Sequence, residues 1–154
     1  MPERSAGVLL YRRSGAAIEM LLVHPGGPFW AKKDLGAWSI PKGEVDEGEG
    51  PVECALRELG EELGASFELA PDDLVDLGAV RQKSGKVVHC WAAAADFDPA
   101  TLRSNTFAIE WPPRSGRQRE FPEVDRAEWF EPEAARGKIN PAQAEFIDRL
   151  VALW

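Results

Sequence analysis

Between Gly43 and Ala65 the chain reads GEVDEGEGPVECALRELGEELGA, and this stretch limits the possible folds more than any other. Gly50 is a tolerated cap, Pro51 a favoured first helical residue, Glu53 lies near the positive end of the helix dipole, and Gly64 is a stop. The spacing therefore predicts a helix from Pro51 to Leu63. At about 100° per residue, Val52, Leu56, Leu59 and Leu63 gather on one face, while Glu58, Glu61 and Glu62 share another. The apolar face needs a hydrophobic partner. The acidic face crowds like charges with no interleaved Lys, where a solvated helix ordinarily mixes signs. Two carboxylates about 4 Å apart repel by about 4 kcal/mol at an effective dielectric near 20, and a divalent cation turns that repulsion into attraction. Hard oxygen ligands of this kind suit Mg²⁺ or Mn²⁺. A solvated acidic face is the competing reading of the helix taken alone.

The rest of the chain supplies the partner for the apolar face. Gly7–Tyr11 and Ile18–Val23 read as strands paired across Ser14-Gly15, and Leu77–Arg81 and Val87–Ala95 as a second pair around Ser84-Gly85. Ala37–Ile40 is a short strand candidate, His24–Trp30 a Gly- and Pro-rich loop, Phe107–Trp111 a strand, and 112–122 a loop. Asn140-Pro141 starts a second helix over 141–153, with Phe146, Ile147, Leu150, Val151 and Trp154 at helical spacing. Several strands with two dominant helices predict an α/β (α+β) fold, a mixed sheet between helices. At 154 residues the length fits a single domain over 1–154. A formal charge of -8 excludes the broad basic footprint that nucleic-acid polymers or anionic membranes require. No apolar run is long enough to span a bilayer, and the N-terminus does not read as a signal peptide. Cys54 and Cys90 form no zinc pattern and fit a reducing compartment, so the expected location is cytoplasmic.

Gly43, Glu49, Arg57-Glu58-Leu59, Glu61-Glu62 and Gly64-Ala65 fall at the spacing G-x5-E-x7-R-E-U-x-E-E-x-G-U, where U is aliphatic, with Ala65 the smallest residue at such a position. This resembles the Nudix box. Pro41-Lys42 before it, and Trp129-Phe130 with Glu131–Ala135 later, are similar to the same family, so the resemblance extends over nearly the whole chain and implies its α/β/α sandwich. It also implies metal-dependent hydrolysis of a nucleoside diphosphate linked to another moiety. By that resemblance Glu58 is a metal ligand and candidate general base, and Glu61, Glu62 and the backbone carbonyl of Lys42 are further ligands. Arg57 and Glu49 form an orienting ion pair for the catalytic group, and Glu123, six residues before Trp129, is an additional ligand with Glu120 as the alternative.

The lead-in Trp38-Ser-Ile-Pro41-Lys42-Gly43 resembles the branch that cleaves diadenosine tetraphosphate asymmetrically, to ATP and AMP. Trp38, Phe29 and Trp30 are candidate base contacts, since a base can stack on any exposed aromatic face, and Trp91 and Trp111 are further aromatic candidates. Lys42, Arg81, Lys83 and Arg117 are candidate phosphate contacts. A nucleoside triphosphate pyrophosphohydrolase is the alternative activity, and a silent nucleotide-sensing module a third reading. The partner expected is a small nucleotide, with no polymer and no membrane, acting on a monomer or homodimer.

Overall fold

In the computed structural model, which describes residues 4–153, the acidic helix forms over Pro51–Leu63 (α1). Gly50 is extended before it and Gly64 is left-handed after it, at φ 67°. A Cβ on Gly64 would also stand 2.0 Å from the carbonyl oxygen of Arg103, so this stop excludes a side chain twice over. Cys54, Ala55, Leu59 and Leu63 are buried beneath the helix, flanked by Val52 and Leu56.

The surface under α1 is a sheet built from two long strands, β1 (Arg4–Ser14) and β2 (Ala17–Pro25), paired antiparallel across a turn with Gly15 at φ 65°. A short strand β3 (Lys42–Glu44) attaches to β1. The hairpin β4 (Val75–Arg81) and β5 (Val87–Ala94) extends one side, and β8 (Val124–Phe130) closes the other. The order is β4-β5-β1-β2-β8, with β1 and β5 parallel and the remaining pairs antiparallel. Side chains alternate across this mixed sheet. Ala6, Val8 and Leu10 of β1 join the core under α1, while Leu9 joins Met20, Leu22, Val88 and Cys90 in a second core. That second core is covered by α2 (Pro132–Lys138) and α3 (Ala144–Val151), which completes the sandwich.

Four local expectations change. Ala37–Ile40 makes only single bridges, Val23 to Ser39 and Trp38 to Ile139, and forms no strand of its own. The continuous helix expected over 141–153 is broken after one turn of 3-10 helix, Pro141–Gln143, and the α-helix proper ends at Val151. One residue explains both. Gln143 is 1% exposed, and its side-chain oxygen accepts the Ile40 N–H at 3.1 Å while its amide reaches Ser39. Trp154 lies outside the described residues. Of the loop expected over 112–122, the second half is a strand, β7 (Gln118–Pro122), paired with β6 (Thr106–Glu110) in a separate two-stranded ribbon. Its Arg, Gln and Glu residues are weak strand formers, and only the partner strand stabilises them. Finally, α2 is an additional helix, too short at seven residues to show a periodic face in the sequence. No helix among the described residues is long and apolar enough to cross a membrane.

Candidate active site

β3 lies beneath the acidic face of α1, and two glycines allow that approach. A Cβ on Gly7 would sit 2.4 Å from the Pro41 carbonyl oxygen, and one on Gly43 only 2.0 Å from the carboxyl carbon of Glu58. The Glu58 carboxylate therefore rests directly over the backbone of Gly43. One turn further along, Glu62 Oε2 accepts the Lys42 N–H at 2.8 Å. The strand backbone thus positions the two carboxylates that the helix presents.

Arg57 ties the loop before the helix to the same group. Its Nε and Nη2 donate to the two oxygens of Glu49 at 2.7 and 3.0 Å, a bidentate geometry, and Nη2 also donates to the Glu44 carbonyl at 3.3 Å. Nη1 donates to Glu58 Oε1 at 2.9 Å and to Glu61 Oε2 at 3.1 Å. The hydrogen bonds from Arg57, helped by the Asp46 N–H, hold the Glu49 carboxyl down at about 2. Glu49 and Arg57 act as one clamp.

A single guanidinium does not balance the remaining acids. The Glu58 side chain is 13% exposed against 41% for Glu61, and burial pushes the Glu58 carboxyl above its ordinary range, opposed by Arg57 and reinforced by Glu61 and Glu123. Burial likewise pushes Glu62 up to about 8, with Glu58 and Glu123 adding to the effect against the Lys42 backbone bond and ammonium. Glu123 sits at the β7–β8 junction, where its N–H donates to the Asn105 carbonyl at 2.8 Å and its carbonyl accepts the Gly26 N–H at 2.9 Å. Two elements distant in sequence therefore bring a further negative charge to the helix acids. Lys42 is desolvated as well, which lowers its ammonium pKa, as does the nearby Lys86, against the pull of Glu62, Glu58 and Glu44.

Among the described residues no group of three or more His, Cys, Asp or Glu side chains is drawn close enough to hold an ion. Glu58 and Glu61 each give one oxygen to Arg57 instead. In chemistry the set still fits a hard divalent cation: the available donors are carboxylate oxygens, and the one guanidinium of Arg57 is shared among Glu49, Glu58 and Glu61.

The candidate substrate contacts separate into three groups. Trp38 is 0% exposed, with its Nε1 bonded to Asp34 at 2.8 Å and its ring edge-on to Phe130 and His24. It is a core residue and offers no face to a base, because Trp-Ser-Ile here runs between the sheet and α2 rather than along the surface. Trp91 is likewise covered, stacked on His89 with centroids 4.0 Å apart. Arg81 and Lys83 lie at the β4 edge of the sheet, Arg81 on a cleft of about 500 Å³ shared with Arg4, His89 and Glu49. Phe29, Trp30 and Arg117 belong to the opposite side, in the loop after β2 and the turn of the ribbon that leads into β8. Phe29 is 63% exposed and Trp30 39%. Two residues that position the site were not singled out in the sequence. Gln143 clamps the segment leading into β3, and Gly26 admits the Pro122 carbonyl, 1.9 Å from where a Cβ would be. The adjacent pair Gly26-Gly27 is the signal for the second; nothing local marks the first.

Known proteins resemble the chain in sequence and in fold. The chain is 42% identical over 65 residues to an RNA pyrophosphohydrolase of Erythrobacter litoralis (strain HTCC2594), an alignment spanning 42% of this chain and 35% of that relative. It is 32% identical over 129 residues to an RNA pyrophosphohydrolase of Rhizobium meliloti (strain 1021), spanning 76% of this chain and 72% of the relative. Against the asymmetrical bis(5'-nucleosyl)-tetraphosphatase of Rattus norvegicus it is 34% identical over 108 residues, 64% of this chain and 69% of the relative. In fold it is similar to a C. elegans Ap4A hydrolase crystallised as a binary complex, with TM-score 0.66 at 21% identity over 97% of this chain and 96% of the other. The family model described as the NUDIX domain matches residues 1–150, and the chain is a member of that family of pyrophosphate-bond hydrolases.

Proposed function

We propose that the chain cleaves a dinucleoside polyphosphate, diadenosine tetraphosphate being the leading substrate, to ATP and AMP with uptake of one water. The observation that carries the chemistry is the carboxylate group of α1, aimed by the β3 backbone and clamped by Arg57. Glu58, Glu61, Glu62 and Glu123, with the Lys42 carbonyl, would hold Mg²⁺ or Mn²⁺, and the bound cation would neutralise charge on the polyphosphate and acidify the attacking water. Glu58 Oε2, the oxygen not given to Arg57, takes the proton of that water. Glu49 fixes Arg57, and through it the orientation of Glu58. Lys42 offers an ammonium beside the same acids for a phosphate oxygen. The lead-in to β3 and the likeness to the rat tetraphosphatase support this substrate.

A second reading, removal of pyrophosphate from a 5′-triphosphorylated RNA, is favoured by the likeness to the Rhizobium meliloti enzyme over a larger part of the chain. Incubation with Mg²⁺ and diadenosine tetraphosphate, triphosphorylated RNA, nucleoside triphosphates or nucleotide sugars separates the readings. ATP plus AMP supports the first, and pyrophosphate plus monophosphorylated RNA the second. Two ADP refutes the first, and a strong preference for a free nucleoside triphosphate refutes both; no turnover of any substrate sinks the hydrolytic reading.

A further inference from the structure

The ribbon of β6 and β7 is not part of the central sheet, and its register sorts its residues by chemistry. Phe107 pairs with Phe121 and Ile109 with Arg119, and the bond from Trp111 N–H to the Arg117 carbonyl at 2.9 Å continues the same pairing. These six side chains therefore share one face. Ala108 pairs with Glu120 and Glu110 with Gln118, so both acids lie on the other. Aromatics and arginines are segregated from carboxylates across one two-stranded element.

That face is continued by the loop after β2. Phe107 packs on Gly27, and Phe29 meets Trp111 edge-on with centroids 5.6 Å apart. Phe29 and Trp30 remain exposed, Lys33 lies over the Trp30 ring at 5.1 Å, and Arg119 over Phe121 at 5.5 Å. Neither the Arg117 nor the Arg119 guanidinium has an acidic partner among the described residues. The ribbon runs into Glu123, whose backbone bonds Asn105 and Gly26 and whose charge adds to the field at Glu58 and Glu62 of α1. The cations Arg117, Arg119 and Lys33 and the exposed rings of Phe29 and Trp30 thus form a strip beside the ribbon that runs into Glu123, on half-buried Phe107, Trp111 and Phe121.

We propose that this strip binds single-stranded RNA, its phosphates on Arg117, Arg119 and Lys33 and its bases stacked on Phe29 and Trp30. Charge complementarity selects this occupant: although the chain carries a formal charge of -8, Arg117 and Arg119 share one face of the ribbon, and they and Lys33 lie among aromatic rings, which suits a phosphate backbone carrying unstacked bases. The strip deepens the second functional reading, in which the RNA 5′ end reaches the acids of α1. It excludes broad polyanion binding while allowing one strand.

The test is fluorescence anisotropy in EDTA at 50 mM salt, with a ten-nucleotide oligoribonucleotide carrying a 5′ hydroxyl and a 3′ fluorophore. Arg117→Glu/Arg119→Glu should weaken binding at least tenfold and flatten the log Kd against log salt slope by about 1.4, roughly 0.7 for each phosphate contact. Trp30→Ala should weaken it at least fivefold. Arg4→Glu, the same substitution at one position on β1 with half the charge change, should stay within twofold, and all variants should keep the wild-type melting temperature to within a few degrees. No binding by the wild type, an unaffected double variant, or an equal loss in Arg4→Glu overturns the proposal. Strand binding that depends on Arg117 and Arg119 in a protein that hydrolyses nothing would leave this inference standing and remove the hydrolytic reading. Cleavage of diadenosine tetraphosphate without strand binding would do the reverse.

Discussion

At Gly43 the requirement is for empty space. Any side chain there enters the volume of the Glu58 carboxylate, 2.2 Å from its Oε1, and the helix acid has to swing away. Gly43→Ala is therefore expected to lower kcat on the best substrate by at least tenfold, with little change in melting temperature because Glu58, not the core, gives way. An unchanged kcat would remove Glu58 from the reaction. Glu123 is an acid delivered by a distant part of the chain, and its charge reaches Glu58 and Glu62 across the fold. Glu123→Gln should reduce turnover at least tenfold, and Glu120→Gln, on the ribbon face opposite Arg119, should not; the opposite ranking would assign the role to Glu120. The common face of Glu58, Glu61 and Glu62 is legible from spacing because helix periodicity fixes their relative directions, whereas the pairing of Arg57 with Glu49, which precedes the helix, is implied by the family resemblance. Trp38 was misread for the converse reason: a motif position carries no information about which side of the chain is covered.

Among the elements, α1 is legible to the residue, since Gly50, Pro51 and Gly64 are local signals with local causes. The ribbon and the Pro141 turn are not, because their stability comes from partners far along the chain, β6 for β7 and Ile40 for Gln143. The loop after β2 shows how such ties are made. Asp34 accepts from Trp38 Nε1 at 2.8 Å and pairs with the Lys138 ammonium of α2, joining the aromatic loop to the helix layer. Lys138 first, then Trp38, lowers the Asp34 pKa below its ordinary 3.8. A depressed carboxyl stabilises the fold above its unfolded pKa and loses that contribution as pH falls through the lower folded value. Asp34→Asn should thus melt below wild type at pH 7, and the gap should close below about pH 4. A gap that persists undiminished at pH 2.5 would show that the tie is not ionic.

For the molecule as a whole, the charge left on the α1 acids links metal binding to stability. A cation that binds the folded chain and not the unfolded one contributes about 2.7 kcal/mol at a hundred times its Kd, which for a domain of this size is a rise of about 5–10 °C in Tm. Saturating Mg²⁺ or Mn²⁺ should produce such a rise, and Glu62→Gln should remove most of it. No shift with either ion in the wild type would mean the acids do not hold metal.

The helix, the two long hairpins and the segregation of acid from apolar faces are written in local residue order, because each follows from periodicity and from the conformational limits of Gly and Pro, and the suitability of the acids for a hard cation follows from their oxygen donors. Tertiary packing alone makes Trp38 core and Gln118–Pro122 a strand, brings the charge of Glu123 within reach of Glu58 and Glu62, and puts Arg81 and Lys83 across the sheet from Phe29 and Trp30. Each of those depends on which distant segment comes to lie alongside, and pairing between strands far apart in the chain is set by burial of the whole sheet, which no local run of residues encodes.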